Sequence, residues 1–198
     1  MKNINLICLF SLIVTLAACG GEGNMYALRS TGPAGGLIFY VDPSEAKLLP
    51  QGTTYMEAAL IDQPTGLSWY NGGYVAEAAT ETAIGTGQTN TTAIVAIQGD
   101  GNYAAKACDD LVSGGRDDWF LPSKDELDKM YVNLQKGTDE HGVTYTPVGT
   151  FGGSEYWSSS ESSEYEIYQA WGQSFVAGNT PSEYYKYNEY YVRCVRTF

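Results

Sequence analysis

Four cysteines, Cys8, Cys19, Cys108 and Cys194, constrain this chain more than any other feature. The first two belong to an N-terminal leader. Lys2 supplies a positive start, and residues 6–18 form an apolar stretch too short and wrongly flanked for a membrane-spanning helix. Leu16-Ala17-Ala18-Cys19 ends that stretch in the manner of a bacterial lipobox. Residues 1–18 are therefore expected to leave as a signal peptide. Cys19 becomes the lipidated N-terminus, and residues 19–31 become a short polar tether. More than one acyl chain on Cys19 gives a stable membrane anchor where a single chain is marginal. The rival reading is an ordinary secretory signal with an incidental cysteine, and it leads to the same side of the membrane. Cys108 and Cys194 then remain as an even pair in an oxidising compartment, which reads as a disulfide. It closes a loop of about 86 residues, for which chain entropy gives on the order of 4 kcal/mol. The alternative, a pair of reactive or metal-binding thiols, lacks the close spacing and further His or Cys partners of a metal site.

The mature chain of about 180 residues suits one domain, and no second apolar run reaches membrane length. Its formal charge is −12, or −13 once Lys2 leaves. Such a chain has no electrostatic footprint for nucleic acid, and its field repels polyanions. Neutral glycans, proteins and divalent cations are better candidate ligands. Gly20 rather than Asp follows Cys19, so in a bacterium with two membranes the expected address is the outer membrane or cell surface.

Along the body, Leu37-Ile38-Phe39-Tyr40-Val41 predicts a buried strand. Further strands are expected over 54–60 and 67–70, the latter stopped by Asn71-Gly72-Gly73. A short helix is expected over 91–97 and a better one over 102–112, whose apolar face carries Cys108. Ser123-Lys124-Asp125-Glu126 matches a capping box opening a helix to about Leu134. Strand material returns over 155–159, 169–176 and 190–197. In the last segment Val192, Cys194 and Arg196 share one face, and Tyr191, Arg193 and Val195 the other. The order predicts an α+β domain with a mostly antiparallel sheet and two main helices.

Several of these segments resemble one family. Gly32-Pro33-Ala34-Gly35-Gly36-Leu37-Ile38-Phe39-Tyr40, Tyr103-Ala104-Ala105-Lys106-Ala107-Cys108 and Asp118-Trp119-Phe120-Leu121-Pro122-Ser123 are three of the motifs. Tyr156-Trp157-Ser158-Ser159-Ser160-Glu161 and Tyr191-Val192-Arg193-Cys194-Val195-Arg196 complete the ordered set. Together they resemble the Lcl C-terminal domain family, named for the domain that closes a collagen-like adhesin, over 32–198. The resemblance implies a fold similar to C-type lectins and to formylglycine-generating enzymes. In it the N- and C-terminal strands pair, and a helix cysteine bonds a last-strand cysteine. The collagen-like stalk is absent. So are the Glu-Pro-Asn and Trp-Asn-Asp motifs of calcium-dependent lectins, so calcium-mediated sugar binding is not inherited and no cofactor is expected.

Catalytic residues are not apparent. His141, the only histidine, lies in a polar loop without a placed partner. Formylglycine generation uses reactive cysteines, and both here are assigned to the disulfide. The acid pairs Asp109-Asp110 and Asp117-Asp118 read as solvated charge rather than a cation site. Gly85-Thr86-Gly87 lacks the Lys and further glycines of a phosphate loop. The tryptophans read mostly as core.

The distinctive feature is the tyrosine load near the end. The segment 181–189 is too polar for core, and tyrosine among Ser and Asn is paratope-like in composition. Tyr165, Tyr168, Trp171, Tyr184, Tyr185, Tyr187 and Asn188 are the expected ligand-binding residues. The expected function is adhesion to, or recognition of, an extracellular glycan or protein. An accessory envelope lipoprotein docking another protein is the alternative, and a formylglycine-generating-type enzyme the less favoured third.

Overall fold

The computed structural model describes residues 26–42, 55–63, 66–139, 141–153, 155–176 and 180–198. The leader, Cys19, most of the tether and Thr54 of the expected second strand lie outside the described residues.

The elements are β1 (Leu37–Val41), β2 (Tyr55–Ala58), α1 (Gly87–Gln98), α2 (Ala104–Asp109), α3 (Lys124–Met130), β3 (Glu155–Glu161), β4 (Gln169–Ser174), β5 (Ser182–Tyr185) and β6 (Val195–Thr197). They form two antiparallel three-stranded sheets, ordered β1-β2-β6 and β3-β4-β5. The expected α+β class and antiparallel pairing therefore hold. The first and last strands share a sheet but do not pair directly, because β2 lies between them. The reason is Glu57 on β2. Its buried carboxylate accepts Ala34 N–H (3.1 Å) and Gly36 N–H (3.2 Å) beside β1, and Arg196 Nη1 (2.7 Å) from β6. A β carbon on Gly36 would lie 2.3 Å from the Ala58 carbonyl oxygen, so only glycine admits this approach. Tyr26 packs edge-on against Phe198 at 5.3 Å, which places the segment before β1 beside the end of β6.

Among the described residues there are three α-helices, at the places where one short and two main helices were expected. The segment predicted as short, 91–97, is the longest and begins at Gly87. α2 is shorter than expected, because Leu111 N–H closes it with a tight turn onto the Cys108 carbonyl (3.1 Å). α3 opens with the predicted capping box: Ser123 N–H donates to Glu126 Oε2 (2.7 Å), and Ser123 Oγ accepts Glu126 N–H (3.3 Å). A π-helical turn over Tyr131–Gln135 carries the same path past Leu134. The strand expected over 67–70 is only a bridge, Leu67 to Tyr190. The long last strand is regular only from Val195, since the preceding residues bond to several segments in turn: Tyr191 to β3, Val192 to Gln63 and Cys194 to Ala59.

Two core clusters flank this last segment. One holds Trp69, Tyr103, Trp119, Trp157 and Val192 around the Cys108–Cys194 disulfide. The other holds Phe39, Met56, Phe120, Leu127, Tyr156 and Val195. Both faces are covered, so Arg193 and Arg196 are buried as well. Arg193 Nε bonds Asp62 Oδ1 at 2.7 Å, and Arg196 grips Asp118 with Nε (2.6 Å) and Nη2 (2.7 Å). The motif residues are thus largely structural. The Trp157-Ser158-Ser159-Ser160-Glu161 run is fully buried, and Ser160 Oγ accepts Lys124 N–H (3.0 Å) while donating to the Glu81 carbonyl (2.7 Å).

Candidate functional site

β5 is an edge strand, and alternation along it decides what reaches solvent. Tyr184 lies opposite Ala170 of β4, while Glu183 and Tyr185 lie opposite Trp171 and Gln169. Tyr184 turns inward, half-buried, with its ring edge on Trp157 (6.2 Å) and Tyr190 (5.0 Å). Tyr185 turns outward and stacks on Tyr187 at 5.4 Å, 10° from parallel. Lys186 between them, in the turn just after β5, is buried.

Lys186 is the buried anchor of the site, and it corrects the expectation that 181–189 contributes nothing to the core. Its ammonium is fully buried, 2.6 Å from both Glu77 Oε2 and Glu161 Oε1 and 4.3 Å from the centre of the Trp69 ring. Its backbone N–H donates to the Tyr168 carbonyl (2.9 Å), and its carbonyl accepts Trp69 N–H (2.9 Å). Glu161 also accepts the N–H groups of Glu77 (3.1 Å) and Ala79 (2.9 Å). Burial pushes Glu77 up to about 7, and its hydrogen bond to Glu161 adds to this. Glu161 is also raised by burial, but the hydrogen bonds from Glu77 and Lys186 outweigh that and hold it low. With the proton on Glu77, one ammonium faces one carboxylate and the cluster is neutral. That is how a buried ionic group avoids an uncompensated charge.

Around this anchor lie two neighbouring groups of tyrosine rings. Tyr165, Tyr168, Tyr185 and Tyr187 are about half exposed. Tyr168 meets Tyr74 at 5.5 Å, and Tyr74 meets Tyr70 at 4.8 Å. Ser162 Oγ accepts the N–H of Glu164 (3.2 Å) and of Tyr165 (2.9 Å), locking the turn that presents them. A shallow depression of about 120 Å³ runs along Glu164 to Tyr168. Of the other expected site residues, Trp171 is half-buried beneath Lys124 Nζ (4.7 Å), and Asn188 donates to Tyr190 Oη (2.9 Å). Tyr70 and Tyr74 were missed. Their signal was the pair of tyrosines flanking the Asn71-Gly72-Gly73 turn.

Elsewhere the expected non-sites have partners. The Gly85 and Gly87 N–H groups, which superficially resembled a phosphate loop, point at Glu126 (2.7 and 3.4 Å). Asp109 and Asp110 pair with Lys106, and Arg196 beside Asp118 holds that carboxyl below the usual range. His141 is exposed. Among the described residues no three His, Cys, Asp or Glu side chains converge to hold a metal.

Burial raises Glu126 to about 7 even though it accepts backbone N–H groups from Ser123, Gly85 and Gly87. Its folded form holds the proton more tightly than the unfolded chain does. Its stabilising contribution is full below the ordinary glutamate range and is lost as pH rises to about 7, and Glu77 adds in the same direction. Glu161 and Asp118, held low, act oppositely and lose their contribution in acid. Stability is thus expected to peak near about pH 5 and to fall by about 3 kcal/mol towards about pH 8 for Glu126 alone. Urea midpoints across that range check this. Glu126→Gln keeps the capping geometry and should flatten the slope. An unchanged slope in that variant rejects the assignment.

The fold and this face together define a disulfide-closed α+β domain presenting an aromatic surface on a rigid edge hairpin. The profile of the Lcl C-terminal domain family matches residues 58–196, and the chain belongs to that family. The matched span begins at the end of β2, so β1 lies outside it. No curated protein matches the chain.

Proposed function

We propose that this protein is a surface-anchored lipoprotein, held to the membrane through acylated Cys19, whose domain binds an extracellular glycan or protein in the manner of an adhesin and performs no catalysis. The observation that carries the reading is the cluster of half-exposed tyrosines brought together from three neighbouring chain segments around the buried Lys186 anchor. Tyrosine gives rigid contact area with little entropy to lose on binding. The Cys108–Cys194 disulfide supports both an oxidising compartment and the absence of the free thiol that formylglycine-type chemistry requires.

Residues 20–198 screened against glycans and matrix proteins test the reading. A saturable ligand should be lost when Tyr168, Tyr185 and Tyr187 are replaced together by alanine, with the melting temperature unchanged. Tyr184→Ala should instead cost about 1–3 kcal/mol of stability, because its ring packs on Trp157. Binding retained in the triple variant rejects the site.

A second reading, an accessory envelope lipoprotein docking another protein, is favoured by a different place. A groove of about 700 Å³ between the Ala34–Gly36 turn, residues 59–63 and residues 111–113 is rimmed by Leu60, Ile61 and Val112, all well exposed. Serine at those three positions abolishing partner capture while the tyrosine variant retains it would select this alternative.

A further inference from the structure

Resting on the tyrosine face as the binding surface, we propose that its ligand is cationic: an arginine- or lysine-rich segment of a partner protein. Its charged groups would stack on the phenol rings and pair with the carboxylates among them.

The charge distribution commits the face to this occupant. Between Lys136 and Arg193 the chain has a single cation, Lys186, against Asp139, Glu140, Glu155, Glu161, Glu164, Glu166, Glu183 and Glu189. Lys186 is buried and already paired, so it offers nothing to a ligand. The carboxylates are not merely near in sequence. Glu183 and Tyr185 stand two residues apart on the outward side of β5, and Glu164 and Tyr165 are held side by side in the turn whose N–H groups Ser162 Oγ accepts.

Each class of occupant meets this face differently. A guanidinium over a phenol face gains about 0.5–1 kcal/mol when exposed and about 2 when desolvated, and the half-exposed Tyr185–Tyr187 stack offers its outer ring faces. The same group gains charge-assisted hydrogen bonds from Glu164 or Glu183. A neutral apolar surface would cover those carboxylates without pairing them, which is costly. An anionic ligand would meet the field of the whole chain at −12. A neutral glycan would stack on the rings but gain little from the carboxylates. Only a cationic segment uses both halves of the surface.

The experiment uses residues 20–198 and a labelled arginine–serine repeat peptide, with a neutral oligosaccharide panel beside it, at low and at physiological salt. The peptide should bind saturably, and more weakly at the higher salt. Alanine at Tyr168, Tyr185 and Tyr187 should weaken it by about tenfold or more, and Glu164→Gln with Glu183→Gln by about fivefold, at unchanged melting temperature. Asp109→Asn with Asp117→Asn makes the same change in net charge among residues that contact none of these tyrosines, and should leave affinity within about twofold. Equal weakening by both charge pairs, with the tyrosine variant unaffected, would reduce the binding to general attraction and overturn the proposal. Tyrosine-dependent binding of a neutral oligosaccharide, indifferent to salt and to the glutamine pair, would overturn the cationic ligand while leaving the binding face standing. Absence of any tyrosine-dependent ligand would overturn both.

Discussion

Lys186→Met is expected to destabilise the domain by about 3–5 kcal/mol, the cost of leaving the buried Glu161 carboxylate without its cation. The ammonium is the shared partner of Glu77 and Glu161, and all three side chains are shut off from water. Methionine fills similar space, so the loss is electrostatic rather than a cavity. Glu161 keeps the N–H groups of Glu77 and Ala79, but no cation then faces it. Chemical denaturation measures the loss. Adding Glu77→Gln and Glu161→Gln to Lys186→Met should recover much of it, because the replacements act on one cluster and are not additive. A loss under about 1 kcal/mol for Lys186→Met would show that the cluster is solvated and that the anchor is misassigned. The variant should also weaken ligand binding, since Lys186 sets the backbone between Tyr185 and Tyr187.

Replacing Cys108 and Cys194 together by alanine should cost on the order of 4 kcal/mol. The bond spans a sequence separation of 86 residues and joins α2 to the residue just before β6, inside the tryptophan-rich cluster. Most of the effect lies in the unfolded chain, which the link keeps from expanding, and the loss of two small buried side chains adds to it. Denaturant midpoints with and without reductant give the same comparison in the unsubstituted protein. Equal stability in both states would mean that the link constrains little in the unfolded ensemble.

The sequence was most legible where local chemistry and tertiary demand agreed. The β1 run of Leu37 to Val41, the capping box at Ser123 and the cysteine pair all appear where the residues placed them. The short strands misled because their pattern was set by long-range partners. Residues 67–70 look like a strand by composition, yet Trp69 N–H is used on the Lys186 carbonyl and its ring on the Lys186 ammonium. The exposure of the tyrosines at 165, 168, 185 and 187 was legible because they lie among polar residues. Tyr184 differs from them only in phase, and phase is known once the strand register is known.

Composition and spacing therefore indicated the α+β class, the disulfide and the region of the candidate face, while the ordered motifs carried the resemblance to the family. Each rests on residue types or periods that survive without knowledge of neighbours. Tertiary structure alone decided that β2 separates the terminal strands, that Tyr70 and Tyr74 join the face, and that a lysine in a polar stretch lies at the bottom of the core. Those outcomes depend on which distant side chains meet. A buried charge is tolerable only beside its partners, and Glu77, Glu161 and Lys186 lie in three different segments of the chain.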